Sequence, residues 1–185
     1  MGKKLLKFIF ILFSKYSVGL FYSRKYLNGK YFDNCVTGWK WAWRSLIYQK
    51  ILGINRQIKF PVSHLMKINS SDNVIFNNDD LNNFQNIGCY FQNFQGKIFI
   101  GKGTWIAPNV GIITSNHDIN NLSAHVSPKN VTIGEKCWIG MNSVILPGVT
   151  LKNHTIVGAG SVVAKSFEEE NIIIAGNPAH IIRRI

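Results

Sequence analysis

Residues 131–163 read VTIGEKCWIGMNSVILPGVTLKNHTIVGAGSVV, and the spacing within them decides the fold. Aliphatic residues fall at Ile133, Ile139, Ile145, Leu151, Val157 and Val163, each six after the last. The same step links Ile100, Ile106 and Ile112 upstream. The residue after the aliphatic is small in most repeats (Gly101, Ala107, Gly134, Gly140, Gly158), with Leu146 and Lys152 as exceptions. Three places after the aliphatic stand Gly103, Asn109, Lys136, Asn142, Gly148, His154 and Gly160. Most of these are Gly or Asn, the types that enter left-handed backbone conformations at least cost. Four places after it come Thr104, Val110, Cys137, Ser143, Val149, Thr155 and Ser161, all compact.

A step of six is neither the helical 3.6 nor simple strand alternation. It describes a chain that makes a short strand, turns a corner at a left-handed residue, and repeats. Three sides make a coil of about 18 residues, and stacked coils make a solenoid with an aliphatic core. Ile75, Leu81 and Ile87 keep the step further upstream, and Phe94 restores it after one extra residue. The solenoid is therefore expected to begin near residues 62–75, with imperfect first coils. Between Ile112 and Ile133 the step is 21, three beyond a full coil. The segment extruded there, over 114–131, contains SNHDINNLSAHVSPKN, and loops that interrupt a rigid scaffold commonly carry function. After Val163 come Glu168, Glu169 and Glu170, then a strand-like Ile172–Ile174, a turn at AGNPA (Ala175–Ala179) and a tail, IIRRI. The organisation predicted is a basic segment over 1–60, the solenoid over 61–166, and a C-terminal strand and tail over 167–185.

The whole chain is 185 residues, 46% hydrophobic and 16% charged, which suits one globular core and excludes a disordered chain. Its three scattered cysteines, Cys35, Cys89 and Cys137, argue against a disulfide scaffold and for a reducing, cytoplasmic compartment. The net charge of +12 is unevenly distributed. Residues 1–59 hold twelve Lys/Arg against one acid, Asp33, whereas 60–185 are close to neutral. A basic third points to an anionic partner: membrane surface, glycan, nucleic acid or phosphorylated cofactor. In the opening MGKKLLKFIFILFSKYSVGLFYSRK the apolar stretch from Leu5 to Phe13, interrupted by Lys7, is too short to span a bilayer, and no convincing cleavage site follows. Two readings stay open for it: a helix in peripheral contact with the inner membrane face, or one packed on the body or a neighbouring subunit. Trp39, Trp41 and Trp43, interleaved with Lys40 and Arg44, could face headgroups or sugars or form core. No recognised nucleic-acid module is present.

The repeats IGKGTW, IAPNVG, IGEKCW, IGMNSV and VGAGSV, the interrupted coil with NHD, and the closing AGNPA resemble the hexapeptide-repeat acetyltransferases over residues 62–185. Within them, the sequence is most similar to the sugar and polysaccharide O-acetyltransferases of galactoside, maltose, nodulation-factor and capsule or colanic-acid type. The resemblance implies an all-β, left-handed parallel β-helix, unusual because crossovers are nearly always right-handed. It also implies a homotrimer, with acetyl-CoA as co-substrate in a groove between neighbouring solenoids and a sugar or glycan as acceptor.

The resemblance makes His117 the catalytic base, and the chemistry agrees. Acetyl transfer to a hydroxyl requires removal of its proton, and a neutral imidazole with pKa about 6.5 suits that near neutral pH. Asp118 or a backbone carbonyl would orient the other ring nitrogen. Asn116 would shape the loop or contact the acceptor. For the cofactor, Met141 and Ala159 match positions whose backbone meets the pantetheine arm, Lys165 and Arg183 match the region near the adenosine phosphates, and Trp138 would line the groove or pack between subunits. Two departures stand out: Met141, where sugar-acetylating relatives often carry Ser, and His180, where some carry Arg. No cysteine is placed as a nucleophile, so direct transfer in a ternary complex is expected, with backbone N–H groups polarising the thioester. Three alternatives were weighed. One is N-acetyl transfer to an amino-sugar nucleotide or a serine-type acceptor. Another is a non-catalytic scaffold. The last is a zinc enzyme like the γ-class carbonic anhydrases, for which His117, His125 and His154 lack the tight pairing. No metal is expected.

Overall fold

The computed structural model describes residues 2–185, which divide into two compact units, 2–64 and 65–185. In the first unit, helix α1 (Gly2–Ser17) leads through 3-10 turns at Val18–Leu20 and Arg24–Tyr26 to helix α2 (Thr37–Leu46), which runs into a π-helical turn at Ile47–Ile51. The extra residue in that turn carries Gln49 into the interior, where it is fully buried. Its amide N–H groups donate towards the carbonyls of Asn55 (3.3 Å) and Phe60 (3.2 Å). Its oxygen accepts from the Val62 N–H (3.1 Å) and the Tyr22 hydroxyl (3.2 Å). One side chain thus ties the returning segment to the helices. The three tryptophans pack within this unit: Trp39 donates to the Phe32 carbonyl (3.0 Å), Trp41 tilts against Tyr31, and Trp43 donates to the Ser14 hydroxyl (2.9 Å).

The second unit is a parallel β-solenoid. Its strands in chain order are β1 (Lys67–Ile68), β2 (Val74–Ile75), β3 (Tyr90–Gln92), β4 (Ile98–Ile100), β5 (Trp105–Ile106), β6 (Gly111–Ile113) and β7 (Val131–Ile133). They continue as β8 (Trp138–Ile139), β9 (Val144–Ile145), β10 (Thr150–Leu151), β11 (Thr155–Val157), β12 (Val162–Val163), β13 (Ile172–Gly176) and β14 (Ala179–Arg184). Three sheets result. Sheet A stacks β1, β3, β6, β9 and β12; sheet B stacks β2, β4, β7 and β10; sheet C stacks β5, β8, β11, β13 and β14. Every pairing is parallel except β13–β14, an antiparallel hairpin that ends sheet C. The expected IIRRI tail is therefore strand.

The period explains itself in the register. Ile112, Ile145 and Val163 stack in sheet A; Ile100, Ile133 and Leu151 in sheet B; Ile106, Ile139, Val157 and Ile174 in sheet C. All are buried, so three aliphatic columns form the core. The corners turn where expected: Gly103, Asn109, Lys136, Asn142, Gly148, His154 and Gly160 all have positive φ, from 54° to 86°. The compact residue that follows is buried and in several coils caps the corner, as when Ser143 and Ser161 hydroxyls donate to the Gly140 and Gly158 carbonyls (2.6 Å each).

Two expectations change. Upstream, Leu81 is buried as the step requires, but Ile75, Ile87 and Phe94 point outward, and Val74, Phe84 and Phe91 fill the core instead. The reason is that a 3-10 segment, Asn78–Gln85, replaces the sheet C strand of the first coil. There the Asn83 side chain donates to the Thr104 carbonyl (2.8 Å) and accepts from the Ile106 N–H (2.9 Å), satisfying the open edge of β5. The step of 21 also differs from a coil plus three residues: β6 in sheet A is followed directly by β7 in sheet B, so the excess is ejected at one corner.

Where a glycine follows the inward aliphatic, at Gly101, Gly134 and Gly140, the next coil requires it. A Cβ at Gly134 would stand 2.6 Å from the Asn153 nitrogen and 2.7 Å from the Lys152 carbonyl carbon. Gly134→Ala is expected to lower stability by about 1–3 kcal/mol, measured by urea unfolding.

Candidate functional site

The ejected segment is a narrow two-armed loop rather than a loose excursion. Lys129 N–H donates to the Thr114 carbonyl (2.8 Å), Val126 N–H to Asn116 (3.0 Å), and Asp118 N–H to Ala124 (3.0 Å), with His117 and His125 bridged antiparallel between the arms. Its root is gripped from the coil below by Gln92, which is buried. The Gln92 oxygen accepts from the N–H groups of Thr114 (3.0 Å) and Ser115 (2.9 Å), and its amide donates to the Ser115 carbonyl (2.9 Å). The Ser115 hydroxyl closes the root by donating to the Val126 carbonyl (2.9 Å).

His117 is exposed on this loop, with Nδ1 2.7 Å from the Leu122 carbonyl oxygen. A carbonyl oxygen has no proton to give, so Nδ1 is the donor and carries the hydrogen. The neutral ring then has its lone pair on Nε2, the nitrogen left for chemistry. Of the two orienting groups expected, the backbone carbonyl holds the place. The Asp118 carboxylate instead accepts from the Asn120 N–H (2.8 Å), closing its own turn, because a direct chain neighbour projects to the other side of an extended arm. Asn116 is exposed on the same arm, and its carbonyl serves the loop ladder.

His125 is exposed too, and its ring lies 4.3 Å from that of His117, centroid to centroid, and 5.3 Å from Phe94. Only the antiparallel return of the loop brings His117 and His125 together, and no spacing in the sequence signals it. Gln92 was likewise missed. Its sole sequence sign is a polar residue beside the inward Phe91, directly before the first irregular corner.

The other candidates lie elsewhere on the prism. Met141 and Ala159 occupy successive corners between sheets C and A, joined by the Gly160 N–H donating to the Met141 carbonyl (2.8 Å). Both are exposed. Lys165 follows β12 at the corner between sheets A and B, as the loop does, and shares a shallow depression with His180. Arg183 is exposed on β14, paired with Ile173. Trp138 stands on the outer face of sheet C in register with Trp105 and Ile156, flooring an open cavity of about 450 Å³. His154 is a corner residue whose Nδ1 lies 2.9 Å from the Asn171 side-chain oxygen. Within one chain, then, the Met141 and Ala159 corners and the His117 loop flank opposite margins of sheet A.

Burial pushes the Cys89 and Cys137 thiols up, which disfavours a thiolate at either. Cys35, in the other unit, is lowered by hydrogen bonding with Thr37. Among the described residues, no group of three or more His, Cys, Asp or Glu is placed to hold a metal ion.

Comparison with known proteins adds the following. Residues 130–165 match the family model described as bacterial transferase hexapeptide (six repeats). The chain is 38% identical over 95 residues to galactoside O-acetyltransferase of Escherichia coli (strain K12), covering 48% of this chain and 44% of that protein. It is 35% identical over 92 residues to galactoside O-acetyltransferase of Lactococcus lactis subsp. lactis (strain IL1403), covering 48% and 44%. Among solved structures, a hexapeptide-repeat containing acetyltransferase from Vibrio cholerae O1 biovar eltor, complexed with acetyl coenzyme A, is 28% identical with a TM-score of 0.50 over 54% of this chain and 55% of that chain. Another Vibrio cholerae crystal structure with the repeat matches 94% of this chain and 92% of that one at TM-score 0.53 and 18% identity, a likeness of fold alone. The chain spans about half the length of the curated relatives it matches.

Replacing Gln92 by Leu leaves the buried Ser115 N–H and carbonyl at the loop root without their side-chain partner, while the Thr114 N–H keeps the Gln92 main-chain carbonyl (3.1 Å). Gln92→Leu is expected to cost about 2–3 kcal/mol by urea unfolding and to speed hydrogen exchange most at the Ser115 amide.

Proposed function

We propose that this chain, which carries the bacterial transferase hexapeptide repeat at 130–165, is an acetyl-CoA-dependent O-acetyltransferase acting on a hydroxyl of a sugar or cell-surface glycan. The observation that carries the reading is the fixed tautomer of His117: an exposed imidazole whose Nδ1–H is held by the Leu122 carbonyl and whose Nε2 lone pair is available. In this reading the solenoid winds left-handed, as in the relatives it resembles.

The acceptor hydroxyl lies against Nε2 of His117. As its oxygen attacks the thioester carbonyl carbon, Nε2 takes the hydroxyl proton. The new C–O bond forms, the C–S bond breaks, and the imidazolium returns the proton to the departing thiolate. Such a base contributes about 10²–10⁴-fold, and holding both substrates in one complex supplies more. Asn116 and His125, on facing arms of the loop, are the groups within reach of further acceptor hydroxyls.

Acetyl-CoA enters as co-substrate. Met141 and Ala159 would meet its pantetheine arm through exposed backbone, and Lys165 and Arg183 would meet its phosphates. The Met141 and Ala159 corners and the His117 loop flank different margins of sheet A, which supports a site assembled between copies, with a homotrimer as the closed arrangement for a three-sided prism.

His117→Ala is expected to reduce turnover by about 10²–10⁴-fold, read as CoA thiol release with a panel of mono-, oligo- and polysaccharide acceptors, while acetyl-CoA binding by calorimetry persists. Unchanged turnover rejects His117 as base. A shared site makes a second expectation: His117→Ala mixed and reassembled with Ala159→Arg recovers activity well above the residual turnover of either by itself. Failure to recover any confines the site to one copy.

A further inference from the structure

Helix α1 is built the wrong way round for a helix that serves its own unit. At about 100° per residue, Phe8, Leu12, Leu5, Ile9, Phe13 and Leu6 fall in one arc of roughly 160°, and Lys3, Lys4, Lys7 and Lys15 in an opposite arc of roughly 120° that also holds Ile11. A helix so patterned ordinarily buries the apolar arc. Here the buried residue is Ser14, which lies in the basic arc and accepts from the Trp43 indole N–H (2.9 Å). Leu5, Leu6, Phe8, Ile9, Leu12 and Phe13 remain between 44% and 68% exposed. The helix is anchored towards its C-terminal end by Ser14, by the half-buried Phe10 and Ile11 beside it and by Phe13 stacked on Trp43, while Leu5, Leu6, Phe8, Ile9 and Leu12 stay exposed.

The charges say which cover fits. Lys3 and Lys4 lie in the first turn, where the helix dipole already presents positive charge and no acid balances it. In water this end is disfavoured; against an anionic surface the same charges become favourable. The two lysines also stand at the two margins of the apolar arc, the positions from which ammonium groups reach lipid headgroups while the arc is immersed. The remainder of the unit adds attraction: residues 1–64 carry twelve Lys/Arg against Asp33. No helix among the described residues is long and apolar enough to cross a membrane, so α1 would lie in the interface plane.

We propose that the apolar face of α1 docks on an anionic phospholipid bilayer, holding the chain at a membrane surface. The proposal is independent of the acetyl-transfer reading.

The test uses the full chain and two kinds of vesicle: phosphatidylglycerol mixed with phosphatidylethanolamine, and phosphatidylcholine alone. Co-sedimentation with the first is expected to be at least about tenfold stronger than with the second and to weaken as salt is raised. The double variant Leu5→Ser, Ile9→Ser keeps every charge and is expected to lose about tenfold or more of that binding. Lys3→Gln with Lys4→Gln, which leaves the apolar face intact, is expected to lose the preference for anionic lipid. Circular dichroism of each variant checks that the fold persists. No binding to either vesicle, equal binding to both, or undiminished binding by the Leu5→Ser, Ile9→Ser variant overturns the proposal. So does a vesicle-free oligomer that this variant abolishes, since a second copy would then be the cover.

Discussion

Everything in the second unit depends on how closely one coil can approach the next. Parallel strands stack about 4.8 Å apart, and at the corners the backbone of one coil lies against that of its neighbour with no room for a Cβ. Gly101, Gly134 and Gly140 stand where a side chain would strike the backbone of the following coil. The corner residue two places later must adopt positive φ so that the chain bends without tilting out of its plane. Non-glycine residues do so at Lys136 and His154 and accept that strain. The gain is three continuous aliphatic columns, in which each inward residue rests on its equivalent in the next coil.

That rigidity gives the loop its value. A segment ejected from one corner would be free in a softer scaffold. Here its root is clamped by Gln92 from the coil below, and its two arms pair with each other. The consequence reaches single atoms: the loop's curvature brings the Leu122 carbonyl to Nδ1 of His117, and the carbonyl chooses the tautomer. A polar clamp beneath, a backbone ladder along the arms and a carbonyl at the tip thus translate solenoid order into the protonation pattern of one exposed ring.

The first unit follows a different logic. It is held by tryptophans and by a buried glutamine on a π-turn that bonds Tyr22 and three groups along the returning chain. Its surface exposes apolar residues along α1 and again at Leu20 and Phe21 and over residues 47–54, with cations throughout, a pattern unlike the near-neutral solenoid.

The period of six was legible in the chain because each repeat answers a purely local demand: an inward aliphatic, a residue without bulk, a left-handed corner. Local demands leave local marks, so the nine aliphatic positions and all seven corners could be read residue by residue. The position of the loop was legible for the same reason, as a break in the step, and His117 through its resemblance to a known pattern. The first coils were not, because Asn78–Gln85 substitutes side-chain hydrogen bonds for a strand and so frees its neighbours from the spacing. Nor were the partners of His117. Leu122 and His125 are 5 and 8 residues away along the chain, and only the doubled path of the loop brings them to the ring; Gln92, 25 residues upstream, reaches the loop root because one coil stacks on another. Sequence by itself fixed what recurs from coil to coil; tertiary structure decided what meets once, because a single long-range contact repeats nowhere and leaves no period to read.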